Sequence, residues 1–196
     1  MLQIRIHGRG GQGVVTAAEL LSVAAFDQGH HAQAFPSFGS ERTGAPVVAF
    51  CRIDEREIRL REPVLEPDVL IVQDPTLLHQ VDVFQGLKPG GYVLINSKHS
   101  LEDLGLADIA LRFRRERLTT VPATEIAIKR LGRPLPNAVL LGGFAALSGL
   151  ITLDAVAHAI RDKFGGRVAE GNVAAATEAF EFVRREMKEL THAQAD

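Results

Sequence analysis

The segment Gly8-Arg9-Gly10-Gly11-Gln12-Gly13 joins a short alternating run, Leu2 to His7, to an alanine- and leucine-rich run that begins at Val14. A strand that turns through glycines into a helix is a way to hold an anion. The first backbone N–H groups of a helix have no partner inside it, and the helix dipole adds partial positive charge at that end. Glycine permits φ > 0 and lets a ligand come close to the main chain. The spacing Gly8, Gly10, Gly13 also satisfies G-x-G-x-x-G, the dinucleotide fingerprint. A nicotinamide site of that kind places an acidic residue on the ribose, about twenty residues on, at the end of the second strand. The strand end here reads Gln33-Ala34-Phe35-Pro36, with no carboxylate, and Arg42, the nearest cation for an NADP site, lies well into the following loop. The segment keeps the anion-binding geometry and lacks the ribose reader.

Catalytic chemistry has less to draw on. His7 lies at a strand end near the glycine loop but has no carboxylate or nucleophile close in sequence, so a packing role is the expectation. Cys51 falls in a β-prone stretch and reads as a buried small hydrophobe. His30 and His31 follow a helix end, and His79, His99, His158 and His192 are scattered without metal-ligand spacing. No Ser/His/Asp set can be assembled, and no metal site is expected. The chain reads as a binding partner, not a catalyst.

Composition narrows the setting. A chain of 196 residues is within the range of one domain and can bury roughly two-thirds to three-quarters of its unfolded surface. Twenty-two basic residues against 24 acidic ones give a net charge near −2, without a long block of one sign, which argues against a nucleic-acid partner. With a single cysteine, the chain alone can form neither an internal disulfide nor a cysteine cage for an iron–sulfur centre. No apolar run approaches the ~20 residues that span a bilayer, and no signal-peptide pattern opens the chain. The expectation is a cytoplasmic protein with no membrane partner.

The elements that would position the glycine loop follow the α/β alternation. Leu2 to His7 suits a strand. Val14 to Phe26 suits a helix whose alanine stripe implies close approach to a sheet, ended by Gly29. His31 to Phe35 suits a second strand, followed by the long loop Pro36 to Gly44. Pro46 to Ile53 and Arg56 to Leu60 read as a hairpin turned at Asp54-Glu55, which would make the sheet mixed. Val69 to Val72 has the continuous apolar character of a central parallel strand. Asp74 is placed to cap a helix from Pro75 to about Phe84. Tyr92 to Asn96 is a further buried strand, in a right-handed crossover. Ile109 to Phe113 and Leu118 to Val121 read as short edge strands. Thr124 to Leu131, Asn137 to Ile151, Leu153 to Phe164 and Glu170 to Leu190 read as helices covering one side of the sheet. The whole predicts a three-layer α/β/α sandwich with a mostly parallel, mixed sheet and a helical C-terminal part, as a single domain over 1–190 with a polar tail at 191–196.

Two stretches carry a more specific signal. Gly8-Arg9-Gly10-Gly11-Gln12-Gly13-Val14-Val15, taken with Ala34-Phe35-Pro36-Ser37-Phe38-Gly39-Ser40-Glu41-Arg42-Thr43-Gly44-Ala45-Pro46, resembles the gamma subunit of the 2-oxoacid:ferredoxin oxidoreductases. These enzymes act on pyruvate, 2-oxoisovalerate, 2-oxoglutarate, aryl-glyoxylates and related acids. Asn137 to Gly143 and the Glu170, Asn172, Ala176 pattern are similar to the same family, and the resemblance runs from Met1 to about Leu190. It implies a hetero-oligomeric enzyme that converts a 2-oxoacid and coenzyme A to acyl-CoA and CO2. Thiamine diphosphate would sit on alpha and beta subunits, with 4Fe–4S clusters on other chains such as a ferredoxin-like subunit. The gamma chain would be non-catalytic, assisting assembly and coenzyme A access.

From the residues themselves, Gly8 to Gly13 and Ser37 to Thr43 are expected at one carboxyl edge of the sheet, because they follow strands taken to be adjacent. Backbone N–H groups of Gly8, Gly10, Gly11, Gln12 and Gly13, with Arg9, Ser37, Gly39, Ser40, Arg42 and Thr43, would then face a phosphate-bearing ligand. Two other readings stay open. One is a purely structural assembly module whose glycines serve packing and whose Glu41-Arg42 is an ion pair. The other is an independent dinucleotide-binding dehydrogenase. The substrate acid, the electron acceptor and the subunit count are not encoded in this chain.

Overall fold

The structure is a computed structural model that describes residues 1–37 and 43–193. Six strands form one mixed sheet, β1 (Leu2–Arg9), β2 (His31–Pro36), β3 (Pro46–Asp54), β4 (Val69–Val72), β5 (Tyr92–Asn96) and β6 (Leu118–Val121). Their order across the sheet is β2-β3-β1-β4-β5-β6. β1, β4, β5 and β6 run parallel to one another, and β3 runs antiparallel to both β1 and β2. The helices are α1 (Val14–Asp27), α2 (Ala107–Arg112), α3 (Ala123–Leu131), α4 (Asn137–Ser148), α5 (Leu153–Lys163) and α6 (Gly166–Ala193).

Alternation along the strands divides the core. Ile4, Ile6, Cys51, Val69, Ile71, Leu94 and Val121 face one side, where α1 and α3 to α6 pack on them. Leu70, Val72, Val93, Ile95 and Leu118 face the other, under a thinner layer that contains α2 and a 3₁₀ turn, Pro75–His79. The continuous apolar run of β4 is therefore buried on both faces, as a central parallel strand requires. On the helical side, the alanines of α1 (Ala17, Ala18, Ala24, Ala25) are fully buried and bring the helix close to the sheet.

Small residues also set the packing of α4, which lies between the sheet and α6. A Cβ at Gly142 would stand 1.9 Å from the Ala176 carbonyl oxygen, so the two backbones touch. At the next residue, a Cβ at Gly143 would already meet Leu94 and Val121 of the sheet and Val183 of α6 at 3.4–3.6 Å. This explains a helix in which almost every side chain is buried.

The structure departs from four expectations. Arg56 to Leu60 is not a strand, and Asp54-Glu55 does not turn a hairpin: both edges of β3 are already paired, with β1 and β2, leaving no place for another partner. The helix expected over Pro75 to Phe84 stops at His79, although Asp74 does cap it, accepting from Thr76 N. The following carbonyls are used otherwise, since the buried Arg5 guanidinium donates to Val83 O at 2.9 Å and Gln85 O at 2.5 Å. Ile109 to Phe113 is largely the helix α2, because Ile109, Ala110 and Phe113 have helical spacing and pack together on the second core cluster. The last helix is also longer than expected, beginning at Gly166 and continuing through Ala193.

Gly142→Ala should therefore destabilise the fold by about 2–4 kcal/mol, at or above the usual cost of overpacking because a backbone atom stands in the way. Urea unfolding of the two proteins measures this; a loss under 0.5 kcal/mol, on the order of a neutral surface change, would contradict the α4–α6 contact.

Candidate anion-binding edge

β1 continues past His7 to Arg9, so the turn proper is Gly10 to Gly13. Each glycine has its own reason. A Cβ at Gly8 would lie 2.5 Å from Val14 Cγ2, so strand and helix approach only without one. Gly11 (φ 91°) and Gly13 (φ 70°) occupy the left-handed region, which costs an ordinary side chain about 1–2 kcal/mol. At Gly13 a Cβ would also strike Asn137 Nδ2 at 2.4 Å, the first residue of α4. No side chain caps α1, so its first turn carries helix-terminal N–H groups with dipole-derived positive charge at the end of the glycine turn.

The turn is tied across to β4. Gln12 Oε1 accepts from Arg9 N at 2.8 Å, and Gln12 Nε2 donates to Asp74 Oδ2 at 2.8 Å. Gln73 Nε2 donates to Gln12 O at 3.3 Å. Arg9 lies along the same connection, donating to Thr76 Oγ1 at 2.7 Å, Gln80 Oε1 at 2.9 Å and Gly44 O at 3.0 Å, and pairing with Asp74 at 3.2 Å. Burial raises the Asp74 carboxyl pKa, but hydrogen bonds from Thr76 and Gln12 and the charge of Arg9 outweigh it and hold the group below the usual range. Arg9 thus spends its donors on closing the turn. Asp74, Thr76 and Gln80 were not signalled by the glycine spacing; the Asp-Pro cap was the only sequence clue to them.

The second loop reaches the first by a different route from the one expected. β2 is not adjacent to β1, because β3 lies between them. The two loops still meet. Gly10 N donates to Ala45 O at 2.9 Å, Gly44 N donates to Gly10 O at 3.0 Å, and Gly10 bridges Thr43 in parallel register. Ser37 N is bound to Val48 O at 2.8 Å. Gly8, Arg9, Gly10, Gly11, Gln12, Gly13 and Thr43 are therefore at one edge, whereas Gly39, Ser40 and Arg42 lie outside the described residues.

On its helical flank the turn opens into a cavity of about 600 Å³. Gly11, Gly13, Asn137 and Asn172 line it, together with the exposed Arg133 and Arg167. Asn137 and Asn172 belong to the Asn137 to Gly143 stretch and the Glu170, Asn172, Ala176 pattern, and it is the packing of α4 and α6 that brings them to the glycines. Among the described residues, no group of His, Cys, Asp and Glu is placed to hold a metal, and no helix is long and apolar enough to cross a membrane.

Under the edge, His7 is buried, and desolvation, with the nearby Arg5 charge, pushes its pKa down to about 4. It is a neutral packing residue near pH 7. Cys51 is fully buried, and desolvation pushes its thiol up to about 12, so it is no nucleophile. The unfolded chain takes a proton on His7 below about 6.5 while the native chain refuses it down to about 4. The His7 contribution is therefore full above the unfolded value and is lost as pH falls toward the folded one, amounting to roughly 3 kcal/mol across the window. Urea unfolding at pH 7 and pH 4.5 should show a smaller acid-induced loss in His7→Gln than in the parent; equal losses would exclude the assignment.

Residues 3–182 match the pyruvate ferredoxin/flavodoxin oxidoreductase family. The chain is 49% identical, over 92% of its length and 96% of the relative's, to the pyruvate/ketoisovalerate oxidoreductases common subunit gamma of Pyrococcus abyssi. It is 45% identical, over 94% of its length and 97% of the relative's, to pyruvate synthase subunit PorC of Methanothermobacter thermautotrophicus. Among solved structures, pyruvate oxidoreductase subunit PORC of Thermotoga maritima superposes with a TM-score of 0.75 at 33% identity, covering 92% of this chain and 95% of that one. Matched along nearly its full length by the family model and by these subunits, the chain belongs to the pyruvate ferredoxin/flavodoxin oxidoreductase family.

Proposed function

We propose that this chain is the gamma subunit of a cytoplasmic, multi-subunit 2-oxoacid oxidoreductase, and that its glycine edge serves coenzyme A access. The near end-to-end match to gamma and PorC subunits is the observation that carries the first part. In the assembled enzyme the carboxylate of the 2-oxoacid leaves as CO2 and the acyl group passes to the sulfur of coenzyme A. The two electrons released go to an external acceptor. Alpha and beta subunits would hold thiamine diphosphate, which supplies the carbanion-stabilising chemistry, and a ferredoxin-like subunit would hold iron–sulfur clusters. This chain does not fit a cluster: its single cysteine is buried and held as a thiol. The 1–190 region acts as one companion domain, non-catalytic by itself.

Coenzyme A fits the edge on a different ground. The described turn has main-chain N–H groups without Cβ obstruction at Gly11 and Gly13, at the uncapped start of α1. Diphosphate oxygens are suited to such donors. Arg9 is engaged within the protein; from the sequence, Arg42 is the cation proposed for this role, with Ser37, Gly39, Ser40 and Thr43 as polar neighbours in sequence. A purely structural role for both loops is the competing reading.

A tagged chain purified from its host should bring larger subunits with thiamine diphosphate and iron–sulfur absorbance; recovery of the chain alone in active form would refute the subunit assignment. In the assembled enzyme, Arg42→Ala should raise the KM for coenzyme A by roughly tenfold, the size of one lost charge-assisted hydrogen bond, while subunit composition and the KM for the 2-oxoacid stay constant. An unchanged coenzyme A KM supports the structural reading, and loss of assembly marks the loop as an interface.

A further inference from the structure

We propose that the arginine run between α2 and β6, with Leu111 beside it, is a docking surface for a carboxylate-rich face of another subunit of the same enzyme. The inference rests on the subunit reading above and concerns the edge of the sheet opposite the glycine turn.

Residues 112–117 hold four arginines and one glutamate, in a chain whose net charge is −2. Arg117 and Arg115 fix the run to the sheet. The Arg117 guanidinium lies over Tyr92, the first residue of β5, 4.7 Å from the ring centre, and donates to Gly90 O. Arg115 Nη1 donates at 2.9 Å to the carbonyl of Leu118, the first residue of β6. The run therefore stands at the amino ends of the parallel strands, whereas the glycine turn follows the carboxyl end of β1.

The other two arginines are left unpaired. Ile109, Ala110 and Phe113 turn inward onto the second core cluster, which leaves Asp108, Leu111 and Arg112 on the outer stripe of α2, at i, i+3 and i+4. Arg112 lies 6.0 Å over the Phe113 ring, and neither its guanidinium nor that of Arg114 forms an ion pair or hydrogen bond among the described residues. Asp108 and Glu116, though close in sequence, pair with none of the four arginines among those residues. Arg115 shares a hollow with Glu186 and Glu189, so the uncompensated charge is concentrated at Arg112 and Arg114. Leu111, next to them, is 87% exposed.

That combination selects the partner. An exposed leucine gains free energy only when another surface covers it, and the arginines beside it set the sign of that surface. Carboxylates opposite Arg112 and Arg114 would accept forked hydrogen bonds, while an apolar pocket receives Leu111. Arginine and aromatic side chains are the usual anchors of protein interfaces, and their charge fixes orientation. A nucleic acid fits less well, because the run is short, broken by Glu116 and flanked by Leu111 and Phe113 instead of further cations.

The test uses the assembled enzyme, with parent and variant chains co-expressed in competition for the same partner subunits and their shares in the purified complex counted by mass spectrometry. Arg112→Glu/Arg114→Glu should be incorporated about tenfold less than the parent or worse, as loss and reversal of interfacial charge pairs require. The complexes that do form with it should come apart at lower sodium chloride than the parent's. Arg112→Lys/Arg114→Lys keeps the charge and should recover most of the incorporation, and Leu111→Ser should lose roughly threefold or more. Arg56→Glu/Arg61→Glu, at exposed arginines of another segment, controls for net charge and should assemble like the parent. All these positions are exposed, and circular dichroism of each chain checks that it is folded. The proposal is overturned if the charge-reversed variant assembles like the parent, if the lysine variant fares no better than the glutamate one, or if the control loses as much. Binding of a short DNA duplex by the parent, abolished in the glutamate variant while assembly stays intact, would overturn it in favour of a nucleic acid. Should the parent itself bring down no other subunit, the subunit reading fails and this inference with it, an outcome told apart by the parent's behaviour alone.

Discussion

The carboxamide of Gln12, bonded on one side to the backbone of Arg9 and on the other to Asp74, is the interaction on which the edge depends. It closes the glycine turn on itself and fastens it to the end of β4. Arg9 reinforces the same link through Asp74, Thr76 and Gln80, and reaches across to Gly44 in the neighbouring loop. A glycine-rich turn would otherwise lose much conformational entropy on ordering. Tethered in this way, the turn is held in place before any ligand arrives, and its backbone donors need no rearrangement to meet one.

The rest of the fold serves the positioning of that turn. β1 lies between an antiparallel pair on one side and three parallel strands on the other, so the chain leaves it in both directions across the sheet. This is the kind of switch point at which open α/β sheets place ligands. The five helices on a single face supply the start of α1, the start of α4 at Asn137 and the start of α6 at Gly166 near one another, while close contact at Gly142 and Ala176 fixes the spacing of α4 and α6. On the opposite face, the buried Arg5 organises irregular chain by binding carbonyls that a helix would have used.

The sequence displayed the buried strands and most helix boundaries because their signals are local: β4 is apolar throughout, and Gly132 and Gly149 end α3 and α4 in the left-handed conformation typical of a helix stop. It misled where local propensity was overruled by pairing. Arg56 to Leu60 has strand-like residues, but β3 had no free edge to give them. At the site, the glycines and the absence of a ribose carboxylate were legible. The fate of Arg9 was not, because Asp74, Thr76 and Gln80, which hold it, are more than 60 residues away. Arg133 and Arg167 carried no pattern at all; only the folding of α3, α4 and α6 around the turn gives them a common cavity.

The central claim is that the preset backbone donors Gly11 N and Gly13 N meet the coenzyme in the assembled enzyme, Gly10 N and Gln12 N being bound to Ala45 O and Arg9 O. A structure of that assembly with coenzyme A bound tests it most directly. The account predicts coenzyme A phosphate oxygens within hydrogen-bond distance of the turn's N–H groups, with the Gln12 and Arg9 contacts unchanged from those described. Coenzyme A bound away from this chain, with the turn packed against a partner subunit, would contradict it.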